Sequence, residues 1–142
     1  MAENINSFFF NTTPRIIYGS NVSEDSSPFS KLIGTSVLLI TDKGITGLKL
    51  YESLIINLRK SGVTVNIFDD VEADPSLKTL ETAISFGKET DASGIIGFGG
   101  GSSMDVAKLT ALILGSKENL DEAWGVGNAK GPRLPLILVP TT

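Results

Sequence analysis

Three consecutive glycines stand between an apolar run and a helical pattern in the stretch GIIGFGGGSSMDVAK, residues 94–108. Glycine loses more backbone freedom on folding than any other residue, so a run of glycines requires a compensating role. Glycines let a diphosphate approach the backbone, and the free N–H groups at the start of a helix attract an anion. The stretch therefore predicts phosphate binding at Gly99, Gly100 and Gly101, with hydroxyl groups from Ser102 and Ser103. A compact strand-to-helix turn is the alternative explanation.

Polar side chains also end two other apolar runs. Asp42 follows VLLIT, where its carboxylate could accept both hydroxyls of an adenosine ribose. In the ordinary Rossmann fingerprint the glycines precede the acid, whereas here the acid comes first. Thr141 and Thr142 follow LILVP, where their hydroxyls could contact adenine or ribose. A helix cap for Asp42 and simple strand propensity for the threonines are the alternatives.

Other residues near the glycines have a structural explanation that is at least as good as a functional one. Asp105 and Lys108 lie three residues apart on the predicted helix, so an ion pair accounts for them. If Asp105 is functional, it should reach backbone amides or a ligand hydroxyl or amide. Asp74 is expected to cap the following helix. Trp124 is expected to anchor the loop between Gly115 and Pro132 by packing.

The composition excludes several classes of chemistry. The chain of 142 residues has no His and no Cys, which rules out a Ser-His dyad, an imidazole base, thiol catalysis and a His-ligated metal within it. We therefore expect no catalytic and no metal-binding residue here. A net charge of −4 without a basic cluster disfavours nucleic acid and anionic membrane as partners. With neither a signal peptide nor a spanning apolar run, we expect a cytoplasmic protein.

These residues must be positioned by a regular alternation of apolar runs and helix-periodic stretches. Strands are predicted at 36–42, 63–71, 93–99 and 133–142, and helices at 48–62, 74–90 and 103–115. Ser76 is expected to cap the second helix, and Gly62 to end the first, in which Leu50, Leu54 and Leu58 share one face. The order predicts an α/β fold with an open, mostly parallel, Rossmann-like sheet and helices on both faces. The segments FFF (8–10) and RIIYG (15–19) predict an N-terminal β-hairpin at the sheet edge.

The stretch GFGGGSSMDVAK strongly resembles the nucleotide-binding signature G-G-G-S-x-x-D-x-A-K of the iron-containing (group III) alcohol dehydrogenases. The segments FFFNTTPRIIYGSN, LLITDKGI, VEADPS and LPLILVPTT are similar to other parts of that family, in the same order, so the resemblance covers nearly the whole chain. It implies a dehydroquinate synthase-like N-terminal domain. Residues 1–142 would then be the dinucleotide-binding domain, without the helical, metal-binding C-terminal domain.

The resemblance also implies roles for individual residues. Asp42 matches the ribose-binding acid that favours NAD over NADP, and Gly99–Ser103 match the diphosphate loop. Asp105 matches an Asp near the nicotinamide, and Thr141–Thr142 match threonines that contact the nucleotide. Lys108 matches a Lys that we expect to be structural, while Asp74 departs from the Asn frequent in its loop.

At the level of the whole protein, the resemblance implies an NAD(P)-dependent oxidoreductase acting on small alcohols or aldehydes. Fe²⁺ or another divalent metal would be held by one Asp and three His outside this chain. We expect residues 1–142 alone to bind nucleotide weakly and to be inactive, and a homodimer is compatible with exposed apolar surface. The alternatives are a related polyol dehydrogenase, maleylacetate reductase or sugar-phosphate cyclase domain, and a non-catalytic flavodoxin-like binding module.

Overall fold

The computed structural model describes residues 7–8 and 10–142, which contain one four-stranded parallel sheet in the order β2-β1-β3-β4. The strands are β1 (Ser36–Ile40), β2 (Thr64–Phe68), β3 (Gly94–Gly99) and β4 (Leu136–Pro140). The helices are α1 (Lys43–Leu48), α2 (Glu52–Lys60), α3 (Leu77–Glu89), α4 (Gly101–Ser116) and α5 (Leu120–Ala123). The predicted open parallel α/β sheet is confirmed.

Two apolar cores lie on opposite faces of the sheet, because successive side chains of a strand point in opposite directions. On one face Leu39 of β1 packs with Leu54 and Leu58 of α2. On the other face Leu38 packs with side chains from α3 and α4, including Ile84 and Ala107. Since the central strands β1 and β3 are covered on both sides, their sequences are almost continuously apolar.

The carboxyl ends of all four strands meet at one edge of the sheet and are tied together by hydrogen bonds. Thr41, directly after β1, is fully buried. Its backbone N–H donates to the carbonyl of Phe68 at 2.9 Å, and its Oγ1 donates to the carbonyl of Phe98 at 2.7 Å. The N–H of Thr141 donates to the carbonyl of Gly99 at 3.0 Å. These bonds fix the starting points of the loops that carry the predicted site residues.

The predicted N-terminal hairpin is wrong for the part of it that the structure describes. Residues 7–8 and 10–19 form no strand, and Phe9 lies outside the described residues. The side chains of Phe8 and Tyr18 are 83% and 98% exposed, and neither residue belongs to an apolar core. A two-stranded ribbon without packing on one face is marginally stable at best, so apolar strand propensity alone does not produce it.

The predicted helix over 48–62 is observed only in part, as α2 over Glu52–Lys60, and the preceding helix α1 was not predicted. Lys49 adopts a left-handed conformation with φ of 58° and ends α1, which leaves Leu50 outside both helices and 47% exposed. Leu54 and Leu58 are buried as expected, and Gly62, with φ of +84°, follows the end of α2. The predicted Ser76 cap of α3 is confirmed, since its side chain accepts a hydrogen bond from the N–H of Thr79. No helix in the described part of the chain is long and apolar enough to cross a membrane.

Candidate functional site

An open cleft of about 540 Å³ lies at the carboxyl edge of the sheet, between the loops that follow β1, β2 and β3. In an open parallel sheet this edge is where ligands bind. The lining residues are Asp42, Lys43, Gly44, Asp70, Val71, Glu72, Ala73, Gly100, Gly101, Ser102 and Ser103. The structure therefore brings together the predicted acid and most of the predicted phosphate loop, which are separated by more than fifty residues in the sequence.

Helix α4 begins at this cleft without a side-chain cap. Its N-cap is Gly100, its first helical residue is Gly101, and its first turn contains no acidic residue. The predicted start at Ser102 or Ser103 is thus one or two residues late, and both serines lie in the first turn. An uncapped first turn keeps backbone N–H groups available at the positive end of a 16-residue helix.

The three glycines of the turn differ in what their missing side chain permits. A Cβ on Gly99, where φ is +145°, would lie 3.1 Å from Oγ of Ser103 and 3.3 Å from Oδ2 of Asp42. Among the described residues, a Cβ on Gly100 would meet only Cγ2 of Thr142, at 3.9 Å, and one on Gly101 would meet nothing within 4 Å. Neither Gly100 nor Gly101 has a positive φ. The compact-turn explanation therefore fits Gly99 but leaves Gly100 and Gly101 unexplained.

Asp42 is both a helix cap and part of the cleft wall. Its Oδ1 accepts a hydrogen bond from the N–H of Ile45 at 3.0 Å, which confirms the capping alternative for this oxygen. The second oxygen, Oδ2, faces Gly99 and accepts no hydrogen bond from the described residues. One carboxylate oxygen of Asp42 is therefore available to a ligand in the cleft.

An ion-pair cluster beside Asp42 was not anticipated from the sequence. Nζ of Lys43 lies 2.5 Å from Oδ1 of Asp69 and 3.0 Å from Oδ1 of Asp70. The hydrogen bond with Asp69, followed by that with Asp70, raises the pKa of Lys43, and the same bond with Lys43 lowers the pKa of Asp69. The signals in the sequence were a Lys directly after Asp42 and an Asp pair directly after the second apolar run.

Glu72, in the loop after β2, also lines the cleft and has partners within the protein. Its carboxylate accepts hydrogen bonds from the N–H of Ser76 at 2.9 Å and from Oγ1 of Thr79 at 2.6 Å. The bond from Thr79, followed by that from Ser76, lowers the pKa of Glu72 to about 2. Asp74, predicted as the cap of α3, is instead an exposed residue with φ of 56°, because Ser76 caps the helix.

Asp105 faces a second cavity rather than the cleft. This cavity, of about 460 Å³, lies between the start of α3, helix α4 and Trp124. Oδ1 of Asp105 lies 3.0 Å from Nζ of Lys108, so the predicted ion pair is confirmed.

Trp124 is 53% exposed and is no packing anchor. The loop is held instead by Glu118, which accepts hydrogen bonds from the N–H groups of Lys130 and Gly131.

Thr141 and Thr142 lie at the margin of the cleft. Both are exposed, and neither lines the cavity itself. The backbone of Thr141 is bonded to Gly99, and the side chain of Thr142 is the nearest one to the position of a Cβ on Gly100.

Within residues 7–8 and 10–142, no three His, Cys, Asp or Glu side chains are arranged to hold a metal ion.

The profile of a known family, "Iron-containing alcohol dehydrogenase", matches residues 13–142. The chain belongs to the iron-containing alcohol dehydrogenase family. Long-chain-alcohol dehydrogenase 1 of Geobacillus thermodenitrificans is 34% identical over 119 residues, which are 81% of this chain and 30% of that protein. Sulfoacetaldehyde reductase of Bilophila wadsworthia is 28% identical over 136 residues, which are 95% of this chain and 35% of that protein.

Solved structures show the same fold. The crystal structure of a 1,3-propanediol oxidoreductase superposes with a TM-score of 0.80 at 27% identity, over 87% of this chain and 33% of that one. Sulfoacetaldehyde reductase from Bifidobacterium kashiwanohense, solved in complex with NAD⁺, has a TM-score of 0.72 at 22% identity over the same shares, which shows the fold alone. The chain spans about a third of the length of these relatives.

Proposed function

We propose that residues 1–142 are the dinucleotide-binding domain of an NAD-dependent alcohol dehydrogenase that also uses a divalent metal. The observation that carries the proposal is the open space beside Gly100 and Gly101 at the uncapped start of α4. Neither backbone conformation nor packing against the part of the chain that the structure describes requires glycine at these positions. A phosphate that approaches the backbone closely does require it, because a Cβ would occupy its place.

We infer one orientation for an adenine dinucleotide in the cleft. Its diphosphate would lie against the N–H groups of residues 101–103, with the hydroxyl of Ser102 as a further donor. The adenosine ribose would then reach Asp42, whose free Oδ2 accepts hydrogen bonds from ribose hydroxyls. A carboxylate at that position repels the 2′-phosphate of NADP, so NAD is the preferred cofactor.

Support for the remaining predicted contacts is uneven. Gly99 shapes the turn rather than offering space, and Thr141 and Thr142 lie where a ligand that extends past Gly100 would meet them. Asp105 is paired with Lys108 and lines the second cavity rather than the cleft. We therefore assign Asp105 no contact within the cleft.

The chain's own part in the reaction is to bind and orient the cofactor. A bound nicotinamide cofactor would supply hydride transfer to or from the carbon of a small alcohol or aldehyde. Names of relatives such as the NAD-dependent methanol dehydrogenase of Bacillus methanolicus support the substrate class. A homodimer and a cytoplasmic location stay predictions.

A calorimetric titration of the chain with NAD and with NADP tests this proposal. We expect NAD to bind and NADP to bind more weakly. Asp42→Asn keeps an oxygen that can cap α1 but removes the charge. It should weaken NAD binding about tenfold, because one or two charge-assisted hydrogen bonds are lost. The affinity for NADP should fall by a smaller factor.

Asp121→Asn, on the exposed helix α5 and outside the cleft lining, is the matched control and should leave both affinities unchanged. If neither dinucleotide binds at millimolar concentration to folded protein, the proposed binding by this chain is wrong. If NAD and NADP bind with equal affinity, and Asp42→Asn changes neither affinity, then Asp42 is not part of the binding site.

A further inference from the structure

Among the described residues that line the cleft, Lys43 is the one basic side chain, and it lies directly after Asp42. Its side chain is 69% exposed, and two carboxylates engage it, from Asp69 and Asp70 at the end of β2. The other charged residues of the lining are acidic. The cleft thus contains a single cation that is already paired twice.

The position of this cation matters for cofactor choice. A basic residue near the ribose-binding acid is how dinucleotide sites accommodate the 2′-phosphate of NADP. An unpaired ammonium group at residue 43 would offer that phosphate a partner beside Asp42. Pairing with Asp69 and Asp70 directs Nζ toward the end of β2 and offsets its charge, so the phosphate would have to compete with two carboxylates.

We propose that Asp69 and Asp70 form a second specificity determinant, which excludes NADP by holding Lys43 away from the ribose position. This inference rests on the proposed function and adds to the effect of Asp42. Asp69 is the stronger contributor, because its side chain is only 24% exposed and its contact is the shorter, whereas Asp70 is 70% exposed. Exposed ion pairs are weak and screened by salt. The two carboxylates should therefore change the ratio of NADP to NAD affinity several-fold rather than by orders of magnitude.

The experiment compares the ratio of NADP to NAD affinity, measured by calorimetry at low salt on the chain and its variants. The double change Asp69→Asn with Asp70→Asn keeps the shapes of both side chains and releases Lys43. We expect this ratio to rise about threefold or more, mainly through tighter NADP binding. Adding Lys43→Met to the double variant should return the ratio to the native value or below it.

A matched control separates release of Lys43 from a general loss of negative charge. Asp74→Asn with Glu81→Gln also removes two negative charges, from exposed residues that form no ion pair with Lys43. This control should leave the ratio near its native value. A rise equal to that of the Asp69/Asp70 variant, or a ratio that stays raised after Lys43→Met, would overturn the inference.

The outcomes also distinguish this inference from the proposed function. Suppose that NAD binds, that Asp42→Asn weakens this binding, and that the ratio of NADP to NAD affinity is unchanged in the Asp69/Asp70 variant. In that case only the specificity inference is wrong. If the native chain binds neither dinucleotide, the proposed function is wrong and the inference fails with it.

Discussion

The glycines of β3 and the glycines that open α4 are neighbours in the sequence, yet the protein needs them for different reasons. A Cβ on Gly94 would lie 1.7 Å from the carbonyl oxygen of Ile33, and one on Gly97 would lie 2.7 Å from Cβ of Ala107. At Gly100 and Gly101 an added Cβ would meet almost nothing. The first pair permits close packing within the protein, whereas the second pair leaves space outside it.

The difference shows that a glycine-rich stretch does not have one explanation. The β3 glycines bring a segment near Ile33 and helix α4 against the sheet, so the fold accounts for them fully. Packing explains Gly94 and Gly97 but not Gly100 and Gly101, so only the two glycines at the start of α4 support a bound ligand. A substitution at one group should therefore affect folding, and a substitution at the other should affect binding.

The largest effect is expected for Gly94→Ala. Because the added methyl group would overlap a backbone carbonyl rather than a flexible side-chain end, the chain around Ile33 must move. We expect the free energy of unfolding, measured by urea denaturation, to fall by about 4 kcal/mol or more, at the upper end of single substitutions. A loss below about 1 kcal/mol would show that this segment adapts easily and would weaken the comparison.

An intermediate effect, a loss of binding without a loss of stability, is expected for Gly101→Ala. Alanine favours helix over glycine, so the free energy of unfolding should stay the same or rise by up to about 1 kcal/mol. The methyl group would occupy the space proposed for the diphosphate and should weaken NAD binding about tenfold or more in a calorimetric titration.

Gly47→Ala is the matched control for this variant. It also places a methyl group in open space on a helix, but on α1 and outside the cleft lining. It should match Gly101→Ala in stability and keep native NAD affinity. Equal NAD affinity in all three proteins would show that the open glycines have no role in binding.

The smallest effect concerns Glu72, a cleft residue that does have partners within the protein. Its pKa falls from the ordinary 4.5 to about 2 because Thr79 and Ser76 donate hydrogen bonds to the ionised form. A lowered pKa in the folded state stabilises the fold fully above pH 4.5, and this contribution is lost as the pH falls from 4.5 toward 2.

Glu72→Gln tests this assignment. The native protein should be slightly more stable than the variant at pH 6, and thermal denaturation should show the difference shrinking between pH 4.5 and 2. A difference that is constant over this range would indicate that ionisation of Glu72 does not contribute to stability.

Much of the fold and the centre of the site could be predicted from the sequence. The apolar runs at β1 and β3 predicted strands, and Ser76 predicted the start of α3. Asp42 and the glycine turn could be placed together, because the carboxyl ends of parallel strands meet at one edge.

The errors and omissions came from features that a local sequence pattern does not show. RIIYG has strand propensity but no packing surface, and Leu50 fits a helical pattern that the left-handed Lys49 interrupts. The pairing of Lys43 with Asp69 joins residues 26 positions apart, so only the alignment of β1 beside β2 reveals it. Asp105 pairs with Lys108, as the local ion-pair rule predicted, and its contact with a nucleotide stays a prediction.

The fluorescence of Trp124 can distinguish binding in one cavity from binding in the other. It is the single tryptophan of the chain, it is half exposed, and it lines the cavity at Asp105 and not the cleft at Asp42. Its emission therefore reports on the solvent around the start of α3 and α4. A molecule that enters this second cavity would quench or shift the fluorescence directly, whereas one confined to the glycine cleft would leave the indole in contact with water.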